Sequence, residues 1–315
     1  MLELLELILT TSLWAAVVRI ATPLIFATLG ELICERAGVL NLGIEGIMTI
    51  GAMAGWLWVY QGGDLWGGVV FAALVGMLFG LLHSILVVYL GLSQHVSGIG
   101  ITMLASSISY YAYTMIIPFS TTPPKIVAFS AFEVPLLSSI PIIGGAFFNQ
   151  TALTYLAYIL VIVTFYVLYK MPIGLTIRMA GENPVANEAQ GINVLLIRTG
   201  AVMVGSALMA IGGAFLTMSA FDAFYFGMIN GRGWICIALV IFASWKPGKA
   251  FLGAILFALF EALQIRAQLI GADVIPYQIF SMMPYFLSIV AMMLVARKAA
   301  YPKALLVPFR QGDRI

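Results

Sequence analysis

KMPIGLTIRMAGENPVANEAQGINVLLIR, residues 170–198, is the longest clearly hydrophilic passage lying between two strongly apolar ones. It carries its own helix punctuation: Asn183 is a good N-cap, Pro184 suits a first helical turn, and Gly191 can take the left-handed conformation that ends a helix. Pro184 to Gln190 then makes about two turns, roughly 10 Å at 1.5 Å per residue. A helix so short is marginal alone in water. Two readings stand on spacing alone, a capped linker between membrane helices or a rod that another protein grips.

The surroundings of this stretch settle the class of the chain. Its 315 residues are 62% hydrophobic and only 9% charged, with a mean hydropathy of +1.06. A soluble domain carries about a quarter charged residues, so this chain dissolves in lipid and residues 1–315 are expected to form one all-α transmembrane unit. The 31 glycines fit, because small residues let membrane helices approach closely. A net charge of +2 does not point to a nucleic-acid partner. Cys34 and Cys236 are widely spaced in or near apolar segments, which favours buried thiols over a disulfide or a metal site. The acidic beginning, MLELLELILTTSLW, lacks a basic region and a clear cleavage site, so it does not read as a removable signal peptide.

A spanning helix needs about 20 mainly apolar residues. On that ruler there are about nine spans, near Leu13–Gly30, Gly43–Tyr60, Gly68–Leu90, Val96–Ile117, Ala152–Tyr169, Thr199–Ser219, Gly231–Trp245, Ala250–Ile270 and Pro276–Ala296. The seventh is short and glycine-led, a partial or broken span. Lys and Arg are retained on the cytoplasmic side. With the C-terminus inside, Arg36, Lys170, Arg178, Arg198, Lys246, Lys249, Arg297, Lys298, Lys303, Arg310 and Arg314 all fall in cytoplasmic segments, while Lys125 is in an outer loop. This sets the N-terminus, with Glu3 and Glu6, outside and residues 170–198 in the cytoplasm. The largest outer segment, residues 120–150, is proline-rich, which favours an extended cap or short re-entrant piece over a further span. It reads as a lid, a docking surface for an external partner, or a plain connector.

There is also an internal echo. GIEGIMTIGAMAGWLWVY and MINGRGWICIALVIFASW occupy equivalent places, and one constant offset pairs Gly46 with Gly231, Gly68 with Gly253 and Ala73 with Ala258. An odd number of crossings between the two units makes them run oppositely, and inverted repeats of this kind flank substrate paths.

No catalytic constellation is present. His83 and His95 are far apart, and there is no Walker-type loop, no HExxH and no nucleophile elbow. The chain reads as a transport subunit, not an enzyme, with no cofactor or metal of its own. Polar residues inside the apolar segments carry more information, since a charge at mid-membrane costs about 2.5–3.5 kcal/mol and faces a cavity or a partner. Glu261 lies in the middle of FLGAILFALFEALQIRAQL, where it serves a path or makes a helix–helix hydrogen bond. Glu45 follows Asn41 in GVLNLGIEG, and Asn230 precedes Gly231-Arg232-Gly233-Trp234. Both clusters resemble helix beginnings whose N–H groups meet a ligand. Against this, Glu45 and Arg232 suit capping and snorkelling at an interface. Trp234, with Phe224, Tyr225 and Phe226, can stack on a planar base or belong to an aromatic belt. Asn41, Glu45, Asn230, Arg232, Trp234 and Glu261 are thus the candidates for a translocation path.

GLTIRMAGENPVANEAQGINV closely resembles the cytoplasmic coupling motif of bacterial ABC-importer permeases serving ribose, branched-chain amino acids and nucleosides, approximately R-A-x-G-E-N-P-x-A-A-x-x-x-G-I. Arg178, Gly181, Glu182, Asn183, Pro184, Ala186, Gly191 and Ile192 match; Met179 and Asn187 stand where the pattern has alanine. ATPLIFATLGELICERAGVLNLGIEGIM and GRGWICIALVIFASWKPGKAFLGAILFALFEAL resemble the nucleoside branch, and the likeness spans nearly the whole chain. It implies a multi-pass inner-membrane permease similar to the larger importer fold seen with cobalamin transporters. The implied partners are a cytoplasmic ATPase that binds ATP and Mg²⁺, a second and related but different permease, and an external substrate-binding lipoprotein. Residues Arg178, Gly181, Glu182, Asn183, Pro184, Ala186, Glu188 and Gly191 would form the ATPase-coupling element, and a purine or other nucleoside would be the cargo. A pentose or other sugar importer is the alternative within the class; an ion-coupled secondary transporter, using Glu45 or Glu261 as a titrating group, is the alternative outside it.

Overall fold

The computed structural model describes residues 10–117, 122–135, 143–271 and 301–310, with isolated positions 138, 140, 282, 286, 289, 290, 293 and 312. The chain begins with α1 (Thr11–Arg36), α2 (Ile44–Tyr60), α3 (Leu65–Ser84), which continues through a π-helical turn at Ile85–Tyr89, and α4 (Gln94–Ile116). Strands β1 (Ala131–Glu133) and β2 (Asn149–Thr151) flank α5 (Ile143–Phe147). Then come α6 (Ala152–Lys170), α7 (Pro172–Glu182), α8 (Pro184–Ala189), α9 (Val194–Phe215, extended by a π-helical turn at Leu216–Ala220), α10 (Arg232–Phe242) and α11 (Pro247–Gly271).

Five of these helices, α1, α3, α6, α9 and α11, are long and apolar enough to cross a membrane, and α2 and α10 are shorter apolar helices. The first eight expected spans each coincide with a helix. The ninth, near 276–296, lies outside the described residues apart from isolated positions, as do Glu3, Glu6, Arg297, Lys298 and Arg314. The short seventh segment is indeed brief: α10 has 11 residues, about 16 Å, roughly half a hydrocarbon thickness.

Helix α1 is the central pillar. In its most apolar window 89% of residues are buried, against α9, α11, α10 and α6. Helix α9 packs on α1, α2 and α3. Because lipid is as apolar as leucine, contact geometry rather than water exclusion holds such helices together. Gly30 of α1 and Gly205 of α9 show how: a Cβ on either would strike the other's carbonyl oxygen, so both must be bare for the backbones to approach. Outward, α3 presents Val70, Leu74 and Leu78, a stripe of one helix face suited to lipid.

The loops gather at two ends. At one end Arg36 reaches Trp245 O and the Tyr169 hydroxyl, while Arg198 reaches Val307 O. At the other, Ile126 N donates to Asp222 O at 2.8 Å, Trp66 packs edge-on to Phe129 and Gly227 N donates to the Tyr110 hydroxyl. Lys125 sits at this second end, bridging to Ala223, and so does Arg266, which donates to Thr10 and Ser12. The proline-rich segment is an extended cap in its described part, with β1 and β2 paired antiparallel, Phe132 opposite Gln150. These strands are a small departure from an all-helical chain.

Candidate functional site: a platform at the basic end and a polar cluster in the bundle

The quoted stretch holds two helices rather than one. α7 carries Pro172 in its first turn and buries Gly174, Ala180 and Gly181. Sequence alone places residues 170–198 in one loop with a helix only at 184–190; two glycines and three β-branched residues weaken helix propensity over 172–182, and packing of the buried face on α6 and α9 overrides it. At Asn183 the backbone breaks to φ −150°, and the Asn183 Oδ1 accepts from Ala186 N at 3.1 Å, capping α8. α8 ends at Ala189, one residue earlier than spacing predicts, and Gly191 has φ +77°. The expected cap and stop are both in place.

α8 stands on a built platform. Asn187, the departure from the family pattern, turns inward and donates from Nδ2 to Thr176 O at 2.9 Å, tying α8 to α7. Gly181 lies against Arg36 O and Gly38 of the α1–α2 corner, where a Cβ would collide with backbone. Its carbonyl accepts from Ala304 N at 2.8 Å. Arg178 lays its guanidinium 5.0 Å from the Tyr169 ring centroid, a cation–π contact. Glu182 accepts from Lys303 N at 3.4 Å and Glu188 from Gly312 N at 3.3 Å. Pro184 is buried, while Asn183, Ala189, Gln190 and Gly191 are exposed. The sequence-predicted coupling residues thus converge on one surface.

Arg198 was placed in the connecting loop by sequence; it lies inside α9, which starts at Val194. The Asn193 side chain caps that start by accepting from Leu196 N, which lengthens the helix past the apolar boundary.

A second polar cluster lies within the bundle, where α2 and α10 begin. Gly231 N and Gly233 N donate to Glu45 Oε1 and Oε2 at 2.8 and 2.7 Å. A carboxylate here meets both orphan donors and the positive end of the helix dipole. Arg232 Nη2 pairs with Glu261 Oε1 at 2.7 Å, with the two side chains 16% and 18% exposed. Asn230 (φ +52°) and Gly231 (φ +80°) form the left-handed hook leading into α10, and Trp234 is exposed one turn on. Five of the six candidates are therefore neighbours. Asn41 is not among them: it is fully buried, takes a bond from its own N–H to Glu31 Oε1 at 2.9 Å, and donates from Nδ2 to Ser206 Oγ at 3.1 Å. Among the described residues no group of three or more His, Cys, Asp or Glu side chains converges on a metal site.

Two interior acids escaped the sequence reading. Glu31 and Glu35, one helical turn apart in α1, are buried and hold Asn41 N and the Trp245 indole N–H, the latter at 2.6 Å. Their signal was plain, two carboxylates in GELICER inside an apolar stretch. The aromatics near the second end also form one group: Trp56, Tyr113, Phe224, Tyr110 and Phe226 sit with ring centroids 4.7–6.4 Å apart.

Comparison with known proteins agrees with this architecture. A family described as branched-chain amino acid transport system / permease component matches residues 13–297. The nucleoside ABC transporter permease protein NupC of Lactococcus lactis is 36% identical over 292 residues, 90% of this chain and 92% of the relative. The guanosine ABC transporter permease protein NupQ of Bacillus subtilis is 33% identical over 93% of this chain and 95% of its own length. A putative glucose ABC transporter permease protein, TsgC13 of Haloferax volcanii, is 37% identical over 80% of this chain and 77% of its own. No solved structure matches. A multi-pass helical bundle matched over nearly its whole length in this way belongs to the permease components of ABC transporters, the branched-chain amino acid transport system family.

Proposed function

We propose that this chain is the membrane-spanning subunit of an ATP-driven importer of nucleosides, moved by a separate cytoplasmic ATPase that grips α8. The observation that carries the reading is α8 itself: a capped six-residue helix, unable to stand alone, seated on α7 and on the corner after α1, at the end of the bundle where Arg36, Lys170, Arg178, Lys246 and Lys303 gather. By the rule that basic loops stay inside, that end is cytoplasmic in a bacterial plasma membrane, and the cap holding β1 and β2 is external. ATP and Mg²⁺ belong to the ATPase, which must bind the two arrangements of the bundle differently in order to drive the exchange. A related second permease would complete the path and an external lipoprotein would deliver cargo.

The meeting of α2 and α10 supports an inverted arrangement like that of the larger, cobalamin-type importers. Both helices begin at the Glu45 contact. α2 leaves toward Trp58 and Tyr60, and α10 leaves toward Trp245, which is tied to Arg36. Discontinuous helices whose N-termini meet inside a bundle mark substrate sites in transporters. Nucleoside cargo is favoured by the two nucleoside-named relatives; a sugar is the second reading, favoured by the glucose-named one.

The test is reconstitution of the assembled importer in proteoliposomes. ATP-dependent guanosine or adenosine uptake that is unaffected by excess glucose or ribose, and lost on deletion of residues 184–190, is the expected result. Uptake blocked by the sugar instead transfers the assignment to the second reading. Uptake that survives the deletion, or that collapses with a proton uncoupler while ATP is held constant, refutes ATPase coupling.

A further inference from the structure

The C-terminal segment was not part of any motif, yet it is built into the platform. Residues 301–310 lie against α7 and α8 and are fixed by a cation that has no acidic partner among the described residues. Arg198 is 2% exposed, and among the described residues the one ion pair joins Arg232 with Glu261. Instead Arg198 donates to three backbone carbonyls of two segments: Nη1 to Val307 O at 3.1 Å, Nη2 to Ala180 O at 3.1 Å and to Ala304 O at 3.5 Å. Its guanidinium lies 5.9 Å from the Phe309 ring centroid. Phe309 is itself buried with Ala180 and Val194, and Leu305 packs on the Trp245 and Leu168 cluster beyond. The rigid fork of an arginine spreads these bonds over two nitrogens held in one plane, which the single ammonium of a lysine cannot do.

Between α8 and this segment runs a cleft of about 370 Å³, with Glu182, Asn183, Pro184 and Val185 on one wall and Lys303, Ala304 and Val307 on the other. Its lining combines the apolar Pro184, Val185, Ala304 and Val307 with one acid, Glu182, and one amine, Lys303. Any body that closes over the first turn of α8 meets Lys303 and Val307 on the same side.

We propose that residues 301–310 form the second wall of the ATPase docking surface, and that Arg198 is the positioning residue that sets this wall against α8. The proposal rests on the reading that α8 docks an ATPase. Arg198 acts through the backbone it holds and does not itself face the cleft mouth.

The experiment uses membranes containing the assembled importer, with the ATPase marked by photolabelling with azido-ATP. Single-cysteine variants Ala189→Cys and Lys303→Cys are both expected to crosslink to the labelled band. Arg198→Met, and separately a chain ending at residue 300, should keep the Ala189→Cys crosslink but weaken it about tenfold and lower substrate moved per ATP hydrolysed. Arg198→Lys, which keeps charge but not the fork, should recover only part of that ratio. A merely structural role would lower the amount of folded permease while leaving the ratio at the wild-type value, and that result overturns the proposal. So does full crosslinking and transport by the shortened chain, or a Lys303→Cys that never meets the ATPase. Absence of the Ala189→Cys crosslink in the otherwise intact chain would instead sink the docking of α8 itself, so the two failures are distinguishable.

Discussion

At the start of α10 a carboxylate, Glu45, faces backbone N–H groups; at the foot of α9 a guanidinium, Arg198, faces backbone carbonyls. Both place a charge against the uncapped polar ends of other segments, and the signs are those the peptide dipoles require. What is joined differs. The interior cluster ties the starts of two helices through Glu45, across 186 and 188 positions, and adds the adjoining Arg232–Glu261 pair. The platform cluster gathers α7, α9 and the C-terminal segment, separated by up to 109 positions between Arg198 and Val307. One arrangement pins a half-length helix inside the bundle; the other ties α7 and the C-terminal segment to the foot of α9. Disturbing the first should therefore act on stability, and disturbing the second on the transfer of force.

Gly181→Trp is expected to have the gravest effect. The site is closed by the backbone at Arg36 and Gly38, so the indole must push α7 off the corner; uptake in cells should fall to background while the protein still inserts. Next comes Arg232→Met. Removing one partner of a buried ion pair costs about 3–5 kcal/mol. With side chains 16% and 18% exposed, screening reduces the expected loss to about 2 kcal/mol. Melting of the detergent-purified protein should show it, and Arg232→Met combined with Glu261→Met should be less damaging than either change alone. Glu45→Gln follows: the amide keeps one acceptor of two, leaving one N–H unmet, about 1–2 kcal/mol by the same measurement. Least of all is Thr22→Val, which removes the bond to Val18 O at 2.8 Å and the contact to Thr154 in α6. A neutral interhelical hydrogen bond in a membrane averages about 0.6 kcal/mol, so its melting should be nearly wild-type. If Thr22→Val matched Arg232→Met, the interior ion pair would hold the bundle no more firmly than a neutral hydrogen bond does.

Helix positions were legible because apolar length is a strong signal in a chain that lipid must dissolve. The α8 cap was legible too, since Asn183, Pro184 and Gly191 each satisfy a local backbone need. What escaped depended on contacts far apart in sequence. Arg198 looked like a loop cation retained by the positive-inside rule, and nothing nearby announces that its partners are Ala304 and Val307. α7 was missed because Gly174 and Gly181 mimic a linker while serving close packing. Asn41 does sit at a helix start, its Oδ1 accepting from Gly43 N at 3.0 Å, but its bonds to Glu31 and Ser206 could not be read from the sequence.

The central claim is that α8 faces the cytoplasm and is covered by an ATPase. Cys34 and Cys236 are both buried, so a cysteine introduced by Ala189→Cys, at an exposed position, can be read alone with a membrane-impermeant maleimide. The account predicts labelling in inside-out vesicles but not in intact spheroplasts, and protection when the ATPase is present. Labelling from the outer face, or equal labelling with and without the ATPase, would contradict it.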